Sequence, residues 1–377
     1  MLDQQLYIDA VELLKKLIST PSFSKEENKT ADIIEAFLQH RHIKTNRVLN
    51  NVWATNKYFD PVKLTILLNS HHDTVKPNPQ YTKDPFTPVI EDGKLYGLGS
   101  NDAGGCLVSL IAAFLHFHQQ KNLTHNLVLT ATAEEEISGR NGIEALLKDE
   151  EFQQVTESLT KPPFSPKGLL WRGGGAIVGE PTLMNLAIAE KGLLVLDCIA
   201  HGKAGHAARE EGENAIYKAI KDIEWFKNYR FPKVSEWLGP VKMSVTSIQT
   251  ENRAHNMVPS QCSFIVDVRV TDEYTHEEVL ATIQQNVVSE VKPRSMRMRS
   301  TRIDTDHPIV KAGIEIGKKI YGSPTSSDKA LIPFPALKCG PGDSARSHTA
   351  DEFIYLAEIE KGIEDYIKML ELVFSNP

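Results

Sequence analysis

The order of helical and extended segments is the feature that most constrains the fold of this chain. From residue 26 to about residue 185, amphipathic helix patterns alternate with short apolar strand patterns such as KLTILLNS, HNLVLTATA and GGAIVGE. Strands that alternate with helices are typical of a largely parallel sheet that is covered on both faces. We therefore expect an α/β fold with a mostly parallel or mixed sheet and helices on both of its faces.

A second pattern begins near residue 186 and gives the order strand, helix, strand, strand, helix, strand, ending with SMRMRSTRI. This β-α-β-β-α-β order is that of a compact ferredoxin-like α+β domain. After residue 303, amphipathic helix patterns like those of residues 26–185 return. The sequence thus predicts a larger domain of residues 1–185 and 303–377 with a smaller domain of residues 186–302 inserted in it. The Pro- and Gly-rich segment 161–175 is predicted to be a connection.

Composition and charge argue against several classes of protein. The 377 residues carry a net charge of −7 and no long basic block, which argues against nucleic acid as a partner. No run approaches the roughly 20 apolar residues of a membrane span, and the acidic, amphipathic N-terminal segment is unlike a signal peptide. The four cysteines are far apart and form no CxxC pair, which indicates a reducing compartment. These features predict a soluble, cytoplasmic protein with no membrane partner.

The stretch LLNSHHDTVKP places two histidines and an aspartate directly after a strand pattern. Because side chains alternate faces along a strand, His71 and Asp73 share a face and His72 points the opposite way. A carboxylate beside a metal-binding histidine fixes the tautomer that leaves the other ring nitrogen free to ligate. An ordinary surface pair of His71 and Asp73 is the alternative for this stretch taken alone.

Further acidic and histidine side chains follow other predicted strands. Asp102 lies in YGLGSNDAGG, Glu134, Glu135 and Glu136 follow LVLTATA, Glu180 follows AIVG, and His348 lies in GPGDSARSHTADEF. The carboxyl ends of strands in an open α/β sheet are where ligands gather, and charges beside buried strands are costly unless paired or bound to metal. Two histidines and three carboxylates suit a pair of zinc ions with one bridging carboxylate.

Six runs of the chain resemble, in the same order, the signatures of a known enzyme family. They are SHHDTV, GLGSNDAGG, TAEEEISGRNG, VGEPT, HGKAGHAA and GPGDSARSHTADE. The family is that of the co-catalytic zinc deacylases and exopeptidases, which includes acetylornithine deacetylase, succinyl-diaminopimelate desuccinylase, aminoacylase and carboxypeptidase G. The resemblance spans nearly the whole chain. It implies a zinc-peptidase catalytic domain, an inserted dimerisation and lid domain, a homodimer, and two zinc ions per chain for which cobalt can substitute.

The resemblance also implies a role for each residue of the site. One zinc is expected to bind His71 and Glu180, the other Glu136 and His348, with Asp102 as the bridge and Asp73 as the partner of His71. Glu135 is expected to be the general base, with Glu134 outside the site. A register shifted by one residue, with Glu134 as the base and Glu135 as the ligand, stays open.

The inserted domain is expected to supply three more residues. His206 in AGHAA matches a family histidine that reaches the active site of the partner subunit and stabilises the developing oxyanion. Asn256 and Arg269 fall where the family binds the carboxylate of the substrate or contacts the group held by the metals. The planar fork of an arginine can hold a carboxylate in two bonds. A salt bridge at the end of a strand is the alternative for Arg269.

The activity implied by the resemblance is metal-dependent removal of the acyl group from an Nα-acyl amino acid. The GPG that precedes SARSH is more similar to the acetylornithine deacetylases, so the expected substrate is N-acetyl-L-ornithine, an intermediate of arginine biosynthesis, or the related N-succinylornithine or N-acetylcitrulline. The alternatives within the family are a succinyl-diaminopimelate desuccinylase and a di- or tripeptidase. The alternative of another class is an inactive binding protein with this fold, although the chain has lost neither a ligand nor the base.

Overall fold

The computed structural model describes residues 3–160, 174–252 and 254–375. Residues 161–173 of the predicted connection lie outside these ranges. The chain forms two compact units, which we call unit one and unit two. Unit one comprises Met1–Ile188, Ile303–Tyr321 and Ser327–Pro377, and unit two comprises Ala189–Arg302 and Gly322–Ser326. The catalytic role predicted for the first and the dimerisation role predicted for the second stay predictions.

The helices in chain order are α1 (Gln4–Ile18), α2 (Asn28–Gln39), α3 (Gly105–His118), α4 (Ile143–Leu146), α5 (Glu150–Thr160), α6 (Ala215–Asn228), α7 (His276–Asn286), α8 (Pro308–Glu315) and α9 (Leu356–Ser375). The strands are β1 (Thr45–Val48), β2 (Asn51–Thr55), β3 (Thr65–His71), β4 (Val89–Glu91), β5 (Lys94–Tyr96), β6 (Asn126–Thr132), β7 (Gly175–Val178), β8 (Leu186–Glu190), β9 (Gly192–His201), β10 (Gly205–His206), β11 (Lys242–Thr250), β12 (Met257–Val258), β13 (Gln261–Val270), β14 (Glu290–Pro293), β15 (Thr301–Arg302), β16 (Ile320–Ser323), β17 (Ala336–Lys338) and β18 (Phe353–Tyr355).

The main sheet of unit one has the strand order β1-β2-β6-β3-β7-β17-β8. Its centre is parallel, since β3 runs parallel to both β6 and β7, and β7 runs parallel to β17. The outer pairs β1 with β2, β2 with β6 and β17 with β8 are antiparallel. The sheet is therefore mixed, which confirms the predicted fold class.

Both faces of this sheet are covered, as the burial of its central strands shows. Every residue of β3 and β6 is buried, the pattern of strands that have helices on either side. On one face, Leu67 and Val128 belong to a core cluster with Phe152 of α5 and Leu146 of α4. The other face packs against α3, which in turn contacts α1 and α9.

Unit two contains an antiparallel sheet with the strand order β11-β13-β9-β14. Residues of β9 and β13 alternate between buried and more exposed, so only one face of the sheet is covered. Helix α6 packs on this face, and the core includes side chains of both helices, among them Phe226 of α6 and Ile283 of α7. The order β9, α6, β11, β13, α7, β14 is the β-α-β-β-α-β order expected of a ferredoxin-like unit.

The predicted position of the last strand of unit two is wrong. SMRMRSTRI, residues 295–303, was expected to form it, but the fourth strand is β14, and only β15 falls within the predicted segment. Helix α7 ends at Asn286 because the next turn is held by the buried carboxylate of Asp222. That carboxylate accepts the backbone N–H groups of Val288 and Ser289 and the hydroxyl of Ser289. The chain then continues in extended conformation as β14, which pairs with β9.

Candidate metal centre

Four neighbouring strands of unit one carry most of the predicted site residues. His71 is the last residue of β3, Glu135 and Glu136 follow β6, Glu180 follows β7, and His348 lies in the loop after β17. Because β6, β3, β7 and β17 are consecutive parallel neighbours, their carboxyl ends meet at one edge of the sheet. The topology therefore brings together side chains that are up to 277 residues apart in the sequence.

The first group of potential metal ligands consists of His71, Asp102 and Glu180. Their donor atoms all lie within 4.8 Å of one another. His71 Nε2 is 3.3 Å from Asp102 Oδ1 and 3.8 Å from Glu180 Oε1. His71 Nδ1 faces Asp73 instead, at 3.1 Å from its backbone carbonyl oxygen and 3.4 Å from its Oδ1. Nε2 is therefore the ring nitrogen that His71 directs into the group.

The second group consists of Asp102, Glu136 and His348, whose donor atoms also lie within 4.8 Å of one another. His348 Nε2 is 2.9 Å from Glu136 Oε2 and 3.6 Å from Asp102 Oδ2. Asp102 thus turns Oδ1 towards the first group and Oδ2 towards the second. This is the arrangement that a carboxylate needs in order to bridge two ions.

Glu135 lies beside the two groups, and among the described residues it belongs to neither. Its Oε2 is 3.9 Å from His71 Nε2. The backbone N–H of Glu135 donates to Asp73 Oδ1 at 3.0 Å, and that of Glu136 donates to Asp73 Oδ2 at 3.2 Å. The buried carboxylate of Asp73 therefore contacts His71 and also fixes the backbone that carries both glutamates.

Glu134 is buried, and its carboxylate is directed to Asn141. It accepts the backbone N–H of Asn141 at 3.3 Å and the side-chain amide of Asn141 at 2.8 Å. The backbone of Glu134 has a φ of 54°, a left-handed conformation that is strained for a residue with a Cβ. This turn directs Glu134 to Asn141, while Glu135 and Glu136 face the predicted site. The geometry favours the register with Glu135 as the free carboxylate and Glu136 as the ligand.

The charges of these side chains conflict in the absence of a cation. Burial raises the pKa of Glu135 well above its usual value, and the charge of Glu180 raises it further. Burial also raises the pKa of Glu136. The hydrogen bond with Glu136 raises the pKa of His348 to about 9. Buried carboxylates that raise one another's pKa are stabilised by a bound cation.

The donor set fits two divalent metal ions. Each group offers one imidazole nitrogen and carboxylate oxygens, a mixture that suits zinc and related transition metals better than magnesium. The excess of buried carboxylates over cationic side chains in the two groups supports the same interpretation. The assigned role of each residue stays a prediction.

Glu352 is a buried carboxylate of this region to which the sequence analysis gave no role. It accepts the backbone N–H groups of Asn101 and Asp102, at 2.8 and 2.9 Å, and that of Gly99 at 3.2 Å. Burial raises its pKa to about 8, with a further contribution from Asp102. Glu352 thus holds the segment that presents Asp102. It lies in the same run as His348, SHTADE, so the sequence contained a signal for it.

Asp328 is a second buried carboxylate that was missed. It accepts the amide of Asn69 at 3.0 Å and the hydroxyl of Thr132 at 2.7 Å, and so links β3 to β6 close to their carboxyl ends. Burial raises the pKa of Asp328. Its segment, SSDKAL, follows no apolar strand pattern, so nothing in the sequence indicated that it would contact β3 and β6.

Of the three predicted site residues of unit two, two are exposed and the third is half-buried. His206 is exposed at the end of β10, where its Nδ1 accepts the backbone N–H of Ala208 at 3.1 Å. Asn256 is exposed, and its backbone carbonyl accepts the N–H of Ala207 at 2.9 Å. His206 thus belongs to the small β10-β12 ribbon, and Asn256 directly precedes β12.

Arg269 of β13 forms an ion pair with Asp267 of the same strand. Its Nε and Nη2 donate to the two carboxylate oxygens of Asp267, at 2.8 and 2.9 Å. This is the salt bridge that the sequence analysis held as the alternative. Asp267 occupies the edge of the guanidinium formed by Nε and Nη2. The edge formed by Nη1 and Nη2 can still hold a carboxylate, so substrate binding by Arg269 stays a prediction.

Comparison with known proteins is consistent with this geometry. The model of a family described as peptidase family M20/M25/M40 matches residues 67–372. The chain belongs to this family. Membership confirms the resemblance seen in the sequence and identifies the protein as a hydrolase of the M20 type, a family whose enzymes act on small-molecule amide substrates.

Curated relatives of this M20 protein include succinyl-diaminopimelate desuccinylases of low identity. That of Wolbachia pipientis subsp. Culex pipiens is 28% identical over 309 residues, which cover 78% of this chain and 73% of the relative. That of Wolbachia sp. subsp. Brugia malayi is 24% identical over an alignment of 393 positions, which covers 97% of this chain and 94% of the relative. Acetylornithine deacetylase, the activity expected from GPG, is not confirmed.

Solved structures of M20 proteins share the fold over the whole chain. A metallo-carboxypeptidase of the M20 family from Sulfolobus solfataricus has a TM-score of 0.74 at 17% identity, covering 97% of this chain and 99% of that one. A dinuclear metal-binding M20 peptidase from Bacillus subtilis has a TM-score of 0.69 at 14% identity, covering 100% of both chains. Among the described residues of the M20 protein, no helix is long and apolar enough to cross a membrane.

Proposed function

We propose that the protein is a two-zinc amide hydrolase that removes the acyl group from the α-nitrogen of an amino acid. The observation that supports this most is the sharing of Asp102 between two groups of donors, with Glu135 beside them and outside both. A hydrolase of this type needs ligands for two ions and a carboxylate that is not used as a ligand. Unit one provides both.

The ligands for one ion would be His71, Glu180 and Asp102, and those for the other would be Glu136, His348 and Asp102. Ions held there would supply Lewis-acid chemistry, polarising the amide carbonyl of the substrate and lowering the pKa of the attacking water. Asp73 and Glu352 would keep the donors in place, because they accept hydrogen bonds from the backbone segments that carry Glu136 and Asp102. We propose zinc because of the two imidazoles.

Glu135 would act as the general base and then as the general acid. Its carboxylate takes a proton from water while the water oxygen forms a bond to the amide carbon. The same proton is then delivered to the amide nitrogen, the carbon–nitrogen bond breaks, and the free amine and the carboxylic acid leave. The hydrogen bond from the Glu135 backbone to Asp73 would hold the side chain at the site during both transfers.

His206 would stabilise the negative charge that develops on the carbonyl oxygen. Since its Nδ1 accepts a hydrogen bond from Ala208, the proton of the neutral ring is on Nε2, which is exposed and free to donate. Donation to a developing oxyanion is an effective use of such a group. We propose that His206 acts in the active site of the partner subunit of a homodimer, with Asn256 next to it at the substrate.

There are two main candidates for the substrate, which differ in the acyl group and in the amino acid. The GPG run suggested N-acetyl-L-ornithine, but these residues pack tightly behind the site. A Cβ at Gly340 would lie 2.6 Å from the backbone oxygen of Glu180 and 2.7 Å from Cys106 Sγ. Packing therefore explains GPG without reference to the substrate. The desuccinylase names of the curated relatives make N-succinyl-diaminopimelate the second candidate.

A panel of amides tests the proposal. The zinc- or cobalt-loaded protein is assayed with N-acetyl-L-ornithine, N-acetylcitrulline, N-succinylornithine, N-succinyl-diaminopimelate and a set of di- and tripeptides, with Glu135→Gln as the inactive control. Turnover of an N-acyl amino acid that is lost in the control supports the proposal. Turnover of peptides alone would reassign the protein as a peptidase. A metal-loaded protein that turns over nothing in the panel would favour the inactive binding protein.

A further inference from the structure

A separate cavity of unit one has the composition of a binding site. Its volume is about 760 Å³, within the range of pockets that hold small molecules. It is formed by the turn between α2 and β1, by β2, by the C-terminal end of α3 and by α5, and none of the proposed metal ligands lines it. The activity proposed above gives it no role.

Three polar side chains at the buried side of this cavity have unused hydrogen-bonding capacity. Trp53, Asn56 and His118 line it and are only 3%, 2% and 7% exposed. Trp53 Nε1 has no hydrogen-bond partner. Asn56 uses its Oδ1 to accept the backbone N–H of Leu127, and its Nδ2 has no partner among the described residues. Trp53 Nε1 is itself closed to solvent, so Asn56 is the side chain of these two that can offer a donor to a ligand in the cavity.

His118 adds a third unpaired group. Its ring lies against Phe114, with the ring centroids 5.5 Å apart, and neither ring nitrogen has a hydrogen-bond partner in the part of the chain that the structure describes. Burial lowers the pKa of His118, and the charge of Lys57 lowers it further. The ring is therefore neutral near pH 7 and offers one N–H donor.

The rim of the cavity is positively charged. Lys44 and Lys57 are exposed, line the cavity, and form no ion pair with any described residue. The charge of Arg41 is already offset by a hydrogen-bonded ion pair with Asp9. Glu151 is the one carboxylate among the described lining residues. The described lining residues thus carry two ammonium groups that are not in ion pairs and one carboxylate.

The remaining walls combine apolar surface with four polar side chains. Asn46, Thr55, Gln119 and Gln154 supply amide and hydroxyl groups, which suit a ligand rich in hydroxyl groups. We propose that this cavity binds a small phosphorylated, hydroxyl-rich molecule such as a sugar phosphate. The phosphate lies between Lys44 and Lys57, and the hydroxyl groups bind the amides of the walls and of Asn56.

Glucose 6-phosphate is a suitable probe, with inorganic phosphate, glucose and succinate as comparisons. Binding to the full-length, metal-loaded protein is measured by calorimetry at constant ionic strength. Because an anion could also bind the metals, the indole N–H resonance of Trp53 is followed by NMR to report on this cavity. We expect saturable binding of glucose 6-phosphate that shifts this resonance, weaker binding of phosphate, and no binding of glucose.

Charge variants give the matched controls. Lys44→Ala and Lys57→Ala should each weaken binding by about five-fold or more, since each removes one ammonium group from the phosphate. Glu151→Gln should strengthen binding by about two-fold or more, because it removes the one opposing charge. Lys292→Ala, at an exposed lysine of unit two, should change nothing.

Three results would overturn the proposal. The first is the lack of a saturable shift of the Trp53 resonance with up to about 10 mM glucose 6-phosphate, a concentration at which even weak ligands bind. The second is an affinity of the two lysine variants equal to that of the wild type. The third is tighter binding of succinate than of glucose 6-phosphate. The last of these would assign the cavity to dicarboxylates.

Discussion

At the scale of single residues, two buried carboxylates determine where the proposed ligands lie. Asp73 contacts His71 and accepts the backbone N–H groups of Glu135 and Glu136. Burial alone would raise its pKa, but the hydrogen bond with His71 and the others that it accepts hold the pKa below its usual value. Glu352 likewise accepts backbone N–H groups from the segment of Asp102. Two of the proposed ligands, Glu136 and Asp102, are therefore held through their backbones, and His71 is held through its side chain.

The choice among the three consecutive glutamates gives the first prediction. Glu135→Gln should keep both metals and lose turnover by about 10² to 10⁴, the usual contribution of a general base, because the amide has nearly the same shape but takes up no proton. Glu136→Gln should lose metal, since a neutral amide oxygen is a poorer ligand than a carboxylate. Metal content and turnover are measured together for each variant.

Glu134→Gln is the matched control for these two variants. Its carboxylate is bound to Asn141, so the change should leave metal content intact and reduce turnover by far less than Glu135→Gln does. A metal-replete but inactive Glu134→Gln, together with loss of metal in Glu135→Gln, would mean that the register is shifted by one residue.

At the scale of elements, the site depends on how closely the loop after β17 packs behind Glu180. Gly340 is in this loop, and a Cβ there would meet the backbone oxygen of Glu180 at 2.6 Å, Cys106 Sγ at 2.7 Å and Tyr366 Oη at 2.9 Å. The backbone oxygen cannot move aside without displacing Glu180. The glycine is thus required for close packing between the loop, α3 and α9.

Gly340→Ala should therefore weaken metal binding in the first group by displacing Glu180. We expect at least a ten-fold rise in the dissociation constant of one metal, the lower end of what is seen when the partners of metal ligands are changed, with little change for the other. Metal titration of the apoprotein checks this. Equal affinity of both sites in variant and wild type would show that the loop can relax without moving Glu180.

Much of the fold could be predicted because the central strands are apolar throughout and alternate with helices. The edge strand β1 and its neighbour β2 were missed, since TNRV and NVWAT are short and mixed in polarity. Strand β14 was misplaced because its position depends on Asp222, a residue 68 positions away from Glu290. Asp328 was missed for the same reason, since only tertiary contacts bring it to Asn69 and Thr132.

At the scale of the whole molecule, the proposed activity needs residues of both units. The metal ligands and the base are in unit one, while His206 and Asn256 are in unit two. The homodimer in which His206 would serve the partner subunit stays a prediction, as does the cytoplasmic location.

Mixing two inactive variants tests whether His206 acts across subunits. His206→Ala should lower turnover by about 10² to 10³, as for loss of an oxyanion donor, with metal content unchanged. In a random mixture of His206→Ala and Glu135→Gln dimers, half are hybrids, and each hybrid has one complete site, so about a quarter of wild-type activity should return for a two-fold symmetric dimer. No recovery in verified hybrids would show that His206 does not act across the interface.

The stability of the molecule should also fall in mild acid. Burial lowers the pKa of His125 to about 4, with a smaller contribution from His307, and its Nε2 has no hydrogen-bond partner. The unfolded chain, with a pKa near 6.5, therefore binds a proton that the folded chain does not. The free energy of unfolding therefore keeps its full value above pH 6.5 and falls by up to about 3 kcal/mol as the pH drops to 4, through proton uptake by His125 in the unfolded chain.

His125→Phe removes this proton uptake while keeping an aromatic ring against Phe374. The difference in unfolding midpoint between variant and wild type should move in favour of the variant as the pH is lowered from 7 to 5. Metal loss at low pH affects both proteins alike and does not enter the difference. Parallel pH dependence in the two proteins would contradict the assignment of a neutral, buried His125.

The metal content of Asp102→Ala tests the central claim most directly. Asp102 Oδ1 faces His71 at 3.3 Å and Oδ2 faces His348 at 3.6 Å, so one side chain contributes to both groups of donors. Mass-spectrometric metal analysis of proteins loaded with zinc and freed of excess ion should give about two ions per chain for the wild type and for Glu134→Gln. For Asp102→Ala it should give clearly fewer than one, because both sites lose a ligand together. Two ions retained in Asp102→Ala, or the loss of only one, would contradict a two-metal site that is bridged by this residue.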